Sequence, residues 1–325
     1  MQTGPLPERK FMLSIDVEEW YQTENLRQLW PPDSWDKAES RVEGNVRRLL
    51  DLLDETKTKA TFFTLGCIAE KHPAMVREMF NRGHEIASHG FRHVLTNLLT
   101  PEQWQEDVVS TKKLLEDVTA SAVIGYRAPS FTIQPYCFEI LWKAGYLYDS
   151  SFFPSSHHDR YGKVNIPSLA PVTRVDPGIY EIPIPTLNLA GMKLPWGGGA
   201  YFRLIPFPVF GWGVTQISRQ TGSYLFYLHP WELDPGQPYQ GQLKRSFRFR
   251  HYTGLKGTEQ KLRRLLRAFS FTRIDAVLHQ VMRSEGSMSH PVTEQVPVPN
   301  KDQGLRENPA PGERIGQSAR QGRSS

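Results

Sequence analysis

The chain reads as an α/β protein with parallel strands, because short apolar runs alternate with amphipathic helical patterns from Phe11 to about Asp275 and polar clusters stand where strands end. FMLSIDV is expected to be the first strand. Val42, Val46, Leu49, Leu50 and Leu53 then repeat at helical spacing, one apolar face of a helix laid on that strand. ATFFTL is the second strand, and PAMVREMFNRG a helix opened by proline and closed by Gly83. Strand HEIAS leads into a helix that starts after Thr100 and Pro101 and runs towards Asp117; strand SAVIGY and helix PYCFEILWKAGY follow. From Ser155 to Trp212 proline, glycine and aromatics predict long shaped loops, with IYEIPI and LFYLH as the remaining clear strands. A basic helix is expected from about Glu259 to Phe269, with Leu262, Leu265 and Leu266 as its apolar stripe.

The 325 residues, 39% hydrophobic and 22% charged, are those of an ordinary globular chain. The net charge of +5 gathers around Lys244 to Arg273 and in the final tail, which argues against nucleic acid as a partner. Cys67 and Cys137 form neither a CxxC pair nor a disulfide framework and are expected to be buried thiols. MQTGPLPERK lacks the apolar run of a secretory signal, and no run reaches the ~18 apolar residues of a transmembrane segment, so a cytoplasmic protein is expected.

Four clusters carry chemistry: DVEEW, SHGFRH, YRAPSF and LHPWE. Three carboxylates, Asp16, Glu18 and Glu19, at the end of an apolar strand are costly to desolvate without a cation, although a solvated acidic loop has the same composition. His89 and His93 are spaced i, i+4, which on a helical turn points both imidazoles one way and suits a zinc-like ion; a bare HxxxH is more often a surface pair. Arg127 stands after a strand, where its fork of donors orients a carboxylate or makes a surface ion pair. His229 at a strand end suits proton donation to a leaving group. Trp20, Tyr21 and Trp231 beside these clusters are expected to wall a cleft and stack on sugar rings. The other histidines, His72, His84, His157, His158, His251, His279 and His290, are read as structural or exposed.

In order, SIDVEEW, HGFRH, RAPS, YDSS and LH resemble the motifs of the polysaccharide deacetylase family with the NodB-homology domain, the carbohydrate esterase family 4 type, over about Phe11 to Asp234. The resemblance implies a distorted (β/α) barrel, with Asp16 as catalytic base in the place of the first acid of TFDDG. Glu18, displaced by one from the second acid, is then the metal ligand, with Glu19 as the alternative. His89 and His93 carry over as ligands, with Gly90 in place of the hydroxyl residue of H(S/T)xxH. Arg127 carries over from RxPY as the partner of the base, while Ser130 replaces the tyrosine and offers a backbone N–H to the substrate oxyanion. Asp149 of YDSS becomes a partner of the acid and His229 the proton donor. DVEEWYQ, HPWELDPGQP and FRHYTGL resemble a branch found beside exopolysaccharide genes in bacteria with exosortase-type protein sorting.

In function, the resemblance implies a hydrolase that uses zinc or a similar divalent ion to remove N-acetyl groups from hexosamine units of a bacterial exopolysaccharide or its precursor, in peripheral association with the exopolysaccharide machinery. Its partners are the N-acetylated polysaccharide or oligosaccharide, with no nucleic acid. Two rivals share the site: a hydrolase of cyclic amides of the allantoin type, and an inactive sugar-binding protein. The expected layout is an N-terminal lead over 1–10, the deacetylase-like domain over 11–234, a basic helical extension over 235–284 packing on the barrel, and a disordered tail over 285–325.

Overall fold

In the computed structural model, which describes residues 9–154, 164, 166 and 170–286, strand β1 (Lys10–Val17) lies next to one end of a nine-stranded sheet. β10 (Ser223–Leu228) runs parallel along one side of it, and β2 (Thr61–Thr64) along the other, with Asp16 opposite Phe63. Beyond β2 come β3 (Glu85–Ser88), β4 (Gly125–Tyr126), β5 (Tyr148–Asp149), β7 (Ile179–Glu181) and β6 (Thr173–Val175), all parallel neighbours except the antiparallel β6–β7 pair. β10 and β6 end the sheet without pairing to each other, so the curled sheet is an open, distorted barrel.

β1 is buried from Met12 to Val17, as a parallel strand covered on both faces must be. Leu13, Ile15 and Val17 share the main core with helices α1 (Val42–Glu55), α2 (Gly66–Lys71), α3 (Pro73–Asn81), α4 (Pro101–Thr119) and α5 (Pro135–Lys143), while Met12 enters a second core with Ile274, Val277 and Leu278. Val42, Val46, Leu49, Leu50 and Leu53 of α1 are all sealed in the main core, each burial contributing about 1.5–3 kcal/mol. α4 starts at a capping box, in which Thr100 Oγ1 accepts from the Gln103 N–H and the Gln103 side chain accepts from the Thr100 N–H. Because the strands are parallel, their carboxyl ends share one edge, and the polar clusters of the sequence converge there.

The region expected to be shaped loops holds more regular structure. After β6 and β7 come a hairpin, β8 (Thr186–Leu189) and β9 (Met192–Pro195), and two helices, α6 (Gly199–Leu204) and α7 (Phe207–Thr221). Proline and glycine masked α7, yet Phe210, Gly213, Val214 and Ile217 make its buried face, and a Cβ on Gly213 would lie 2.2 Å from the Trp196 indole. SAVIGY and IYEIPI yield strands of only two and three residues. The C-terminal part comprises α8 (Arg245–Tyr252), α9 (Leu255–Ala268), β11 (Phe271–Thr272) and α10 (Ile274–Ser284). It does more than pack on the barrel, because β11 pairs with Phe11 and Met12 of β1 and the Ile274 N–H donates to Thr61 Oγ1. Lys10, placed in the lead by sequence, already belongs to β1, whereas residues 1–8, the tail from 287, and His157, His158 and His290 lie outside the described residues. Both cysteines are free; Cys137 is buried, but Cys67 is only half-buried and accepts from Gln22. Among the described residues no helix is long and apolar enough to cross a membrane.

Candidate active site

Asp16 is the next-to-last residue of β1, and Arg127 follows β4 on the same sheet edge. Arg127 is fully buried, its guanidinium 4.1 Å from the centre of the Phe63 ring. Nη1 donates to Asp16 Oδ1 at 2.6 Å and to Ser14 Oγ at 2.8 Å, while Nε and Nη2 donate to the Ser150 carbonyl and hydroxyl. Burial pushes the Asp16 carboxyl up, but Arg127, His89 and His229 outweigh it and hold the group below the usual carboxylate range.

His89 and His93 sit in a loop after β3, and not on the helical turn that their spacing suggested. Gly90 and His93 have φ of +74° and +50°, and a Cβ on Gly90 would lie 3.0 Å from Asp107, whose carboxylate accepts the Phe91 N–H. This close approach explains glycine in that place. The loop still brings the two rings to 5.4 Å between centres. His89 Nδ1 donates to the Arg127 carbonyl at 2.8 Å, which leaves the Nε2 lone pair free, and burial drives the ring down to about 4, so it is neutral. His93 is held neutral as well, by burial and then by its histidine neighbours.

Glu18 closes this group. Its Oε2 stands 3.1 Å from His93 Nε2, and its Oε1 accepts from the Trp231 indole at 3.2 Å. Ligand atoms of Glu18, His89 and His93 all lie within 4.8 Å of one another. Glu18 Oε2 and His93 Nδ1 are buried without a hydrogen-bond partner, and burial lifts the Glu18 carboxyl to about 7. A carboxylate oxygen lacking a donor beside two neutral imidazoles is costly as it stands; one carboxylate and two imidazole nitrogens fit a divalent ion of the zinc type. Glu19 points elsewhere: its Oε1 accepts from the backbone N–H of Arg41 and Val42 and from Ser40 Oγ, fastening the start of α1.

His229 follows β10. Its Nδ1 donates to Glu232 Oε1 at 2.8 Å, and its Nε2 faces Glu18 Oε1 at 3.5 Å and Asp16 Oδ2 at 4.0 Å. Burial opposes the charged ring, yet Glu18, Glu232 and Asp16 carry it up to about 9. Glu232 in turn pairs with Arg203 of α6 at 2.5 Å, both side chains 1% exposed.

Several expected residues stand apart. Asp149 makes no hydrogen bond to Asp16 or Arg127; it accepts from Ser151 and from Glu181, its neighbour in register, which burial and the Asp149 charge keep protonated. YDSS thus reaches the site through Ser150, one residue on. Ser130 lies in the left-handed region at φ +52° just past Arg127. Trp20 and Tyr21 are not sugar platforms in this structure: they are 1% and 3% exposed, pack edge to face on each other, and the Trp20 indole donates to the Glu39 carbonyl. Trp231 is likewise enclosed, stacked between His229 and His251. Sequence reading missed Ser14, Ser150, Arg203 and Glu232; only Glu232 left a signal, three residues after His229 in LHPWE.

Residues 34–148 match the polysaccharide deacetylase family model, and residues 150–279 match a domain of unknown function, DUF3473. The second match begins before β6 and runs into α10, across the boundary expected at Asp234. A peptidoglycan deacetylase of Helicobacter pylori is 28% identical over 133 residues, 41% of this chain and 45% of that protein. A peptidoglycan-N-acetylglucosamine deacetylase of Bacillus cereus is 30% identical over 99 residues, 30% of this chain and 46% of that one. The chain therefore spans less than half the length of these relatives. A crystal structure from Mycobacterium smegmatis, described as a polysaccharide deacetylase, shares the fold with a TM-score of 0.58 at 19% identity, covering 90% of this chain and 96% of that one.

Proposed function

We propose, on the premise that this chain carries a polysaccharide deacetylase domain, that it hydrolyses the N-acetyl group of hexosamine units in a polysaccharide or oligosaccharide, an exopolysaccharide or its precursor. The observation that carries the reading is the convergence of Glu18, His89 and His93 beside Asp16 and His229 on one sheet edge. The named relatives act on N-acetylated glycans, which supports the substrate class.

Glu18, His89 and His93 are the residues to hold a divalent ion, which when bound supplies a Lewis acid for the acetyl carbonyl. Asp16, kept ionised and fixed by Arg127, takes a proton from the attacking water. His229 arrives protonated, with Nε2 towards the site and Nδ1 anchored on Glu232, and gives its proton to the amine as the C–N bond breaks. Ser130 follows Arg127 on the same edge, and its backbone N–H is the proposed donor to the oxyanion. Asp149 holds Ser151, whose hydroxyl accepts from the Ala128 N–H beside Arg127, rather than touching the base.

Acetate release tests this: N-acetylglucosamine oligomers, peptidoglycan fragments and allantoin are incubated with the protein, with and without added zinc. Metal-dependent release from a glycan is expected. Turnover of allantoin alone, or of nothing with metal bound, overturns it.

A further inference from the structure

Helix α7 is apolar on two faces. Phe210, Val214 and Ile217 face the core, while Val209 and Trp212 on the other side are 48% and 47% exposed. α6 repeats the arrangement, with Phe202 inward and Tyr201 and Leu204 41% and 40% exposed. Pro206 in the link between the helices and Pro208 in the first turn of α7 are exposed as well. Exposed aromatic and aliphatic side chains gathered over the first turns of α7 and along α6, rather than scattered singly, make a contact surface.

Its electrostatics choose the contact. From Ile182 to Trp231 the chain contains no Asp or Glu at all, but carries Lys193, Arg203 and Arg219. Lys193 and Arg219 are exposed, one on the hairpin whose β8 packs against α7 and the other in the last turn of α7. From α9, Arg264 lies over the Phe207 ring at 4.3 Å, and Lys261 donates to the carbonyls of Phe202 and Ile205. Aromatic, aliphatic and proline side chains rimmed by cations, with no carboxylate in the segment 182–231 that builds the two helices and the hairpin, suit the boundary between acyl chains and anionic headgroups.

We propose that the α6–α7 face docks this protein on a membrane surface bearing anionic lipid. Val209, Trp212, Leu204 and Tyr201 enter the headgroup region, and Lys193, Arg219 and Arg264 meet lipid phosphates. The face is tied to the active-site edge, since Arg203 of α6 pairs with Glu232, the partner of His229. Docking holds whether or not the chain deacetylates glycans, so its test needs no turnover.

The test is flotation of the full chain with vesicles of phosphatidylcholine alone or with a fifth of phosphatidylglycerol, alongside light scattering without lipid. Phosphatidylglycerol vesicles are expected to carry the protein, less so in high salt. Val209→Asp combined with Trp212→Ala should lower partitioning at least tenfold with unchanged melting temperature, and the milder Trp212→Ala alone should lower it several-fold. Absence of binding to phosphatidylglycerol vesicles, undiminished binding of both variants, or a dimer that the double variant converts to monomer, the sign of a second copy on this face, overturns the proposal.

Discussion

Arg127 Nη1 and Asp16 Oδ1 meet at 2.6 Å, with the two side chains 0% and 3% exposed. A buried ion pair is weak support for stability when whole, but breaking it strands a charge at a cost of about 3–5 kcal/mol. Arg127→Met should therefore destabilise the protein by about 3 kcal/mol in urea unfolding and remove turnover. Arg127→Lys should keep more stability but still lose rate, because one ammonium cannot serve Asp16, Ser14 and Ser150 together. A Lys variant with full activity contradicts the positioning role.

Glu18 and Glu19 separate by metal content. Glu18→Gln, His89→Ala and His93→Ala should each lose zinc affinity by more than tenfold in calorimetric titration, whereas Glu19→Gln should retain zinc and instead lower the melting temperature by loosening the start of α1. Zinc loss in Glu19→Gln with retention in Glu18→Gln reverses the assignment. Asp16→Asn should keep the ion and abolish acetate release, since base and ligand are different residues.

The sequence made the site's strand ends legible because a charged cluster directly after an apolar run has few places to go in a parallel sheet. Asp16, Glu18, His89, His93, Arg127 and His229 meet on one edge for that reason. Aromatic side chains were less readable: DVEEW leaves Trp20 close to Glu18 in sequence, but successive residues leaving a strand point different ways, and Trp20 went into the core. Nor did periodicity find α7, whose glycine and proline content hides a helix held by close packing on Trp196. Arg203 was invisible because its partner Glu232 lies far along the chain.

Glu232 anchors His229 and is itself matched by Arg203, so the three should respond together. Glu232→Gln keeps the shape but removes one of the charges that raise the imidazole, and NMR titration should find the His229 value lower than in the parent. Glu232→Ala leaves Arg203 buried without its partner and should destabilise by about 3 kcal/mol. Unchanged His229 titration in both variants contradicts the part given to Glu232 in raising the imidazole.

Glu85 gives a pH dependence away from the catalytic edge. Burial, reinforced by Asp275, raises its carboxyl to about 8, although Thr61 and Tyr148 donate hydrogen bonds to it and so does the Asp275 N–H. A carboxyl with a folded value above the unfolded one favours folding while protonated. The contribution is fully present below about pH 4.5 and is lost as pH rises towards 8. Between those values stability should fall with a slope approaching about 1.4 kcal/mol per pH unit from this group. Glu85→Gln, neutral at every pH, with its amide oxygen accepting from Thr61 and the Asp275 N–H and its amide nitrogen donating to the Tyr148 hydroxyl, should flatten that part of the curve. Urea unfolding of both proteins from pH 5 to 8 measures it, and parallel curves for parent and variant remove Glu85 as the titrating group.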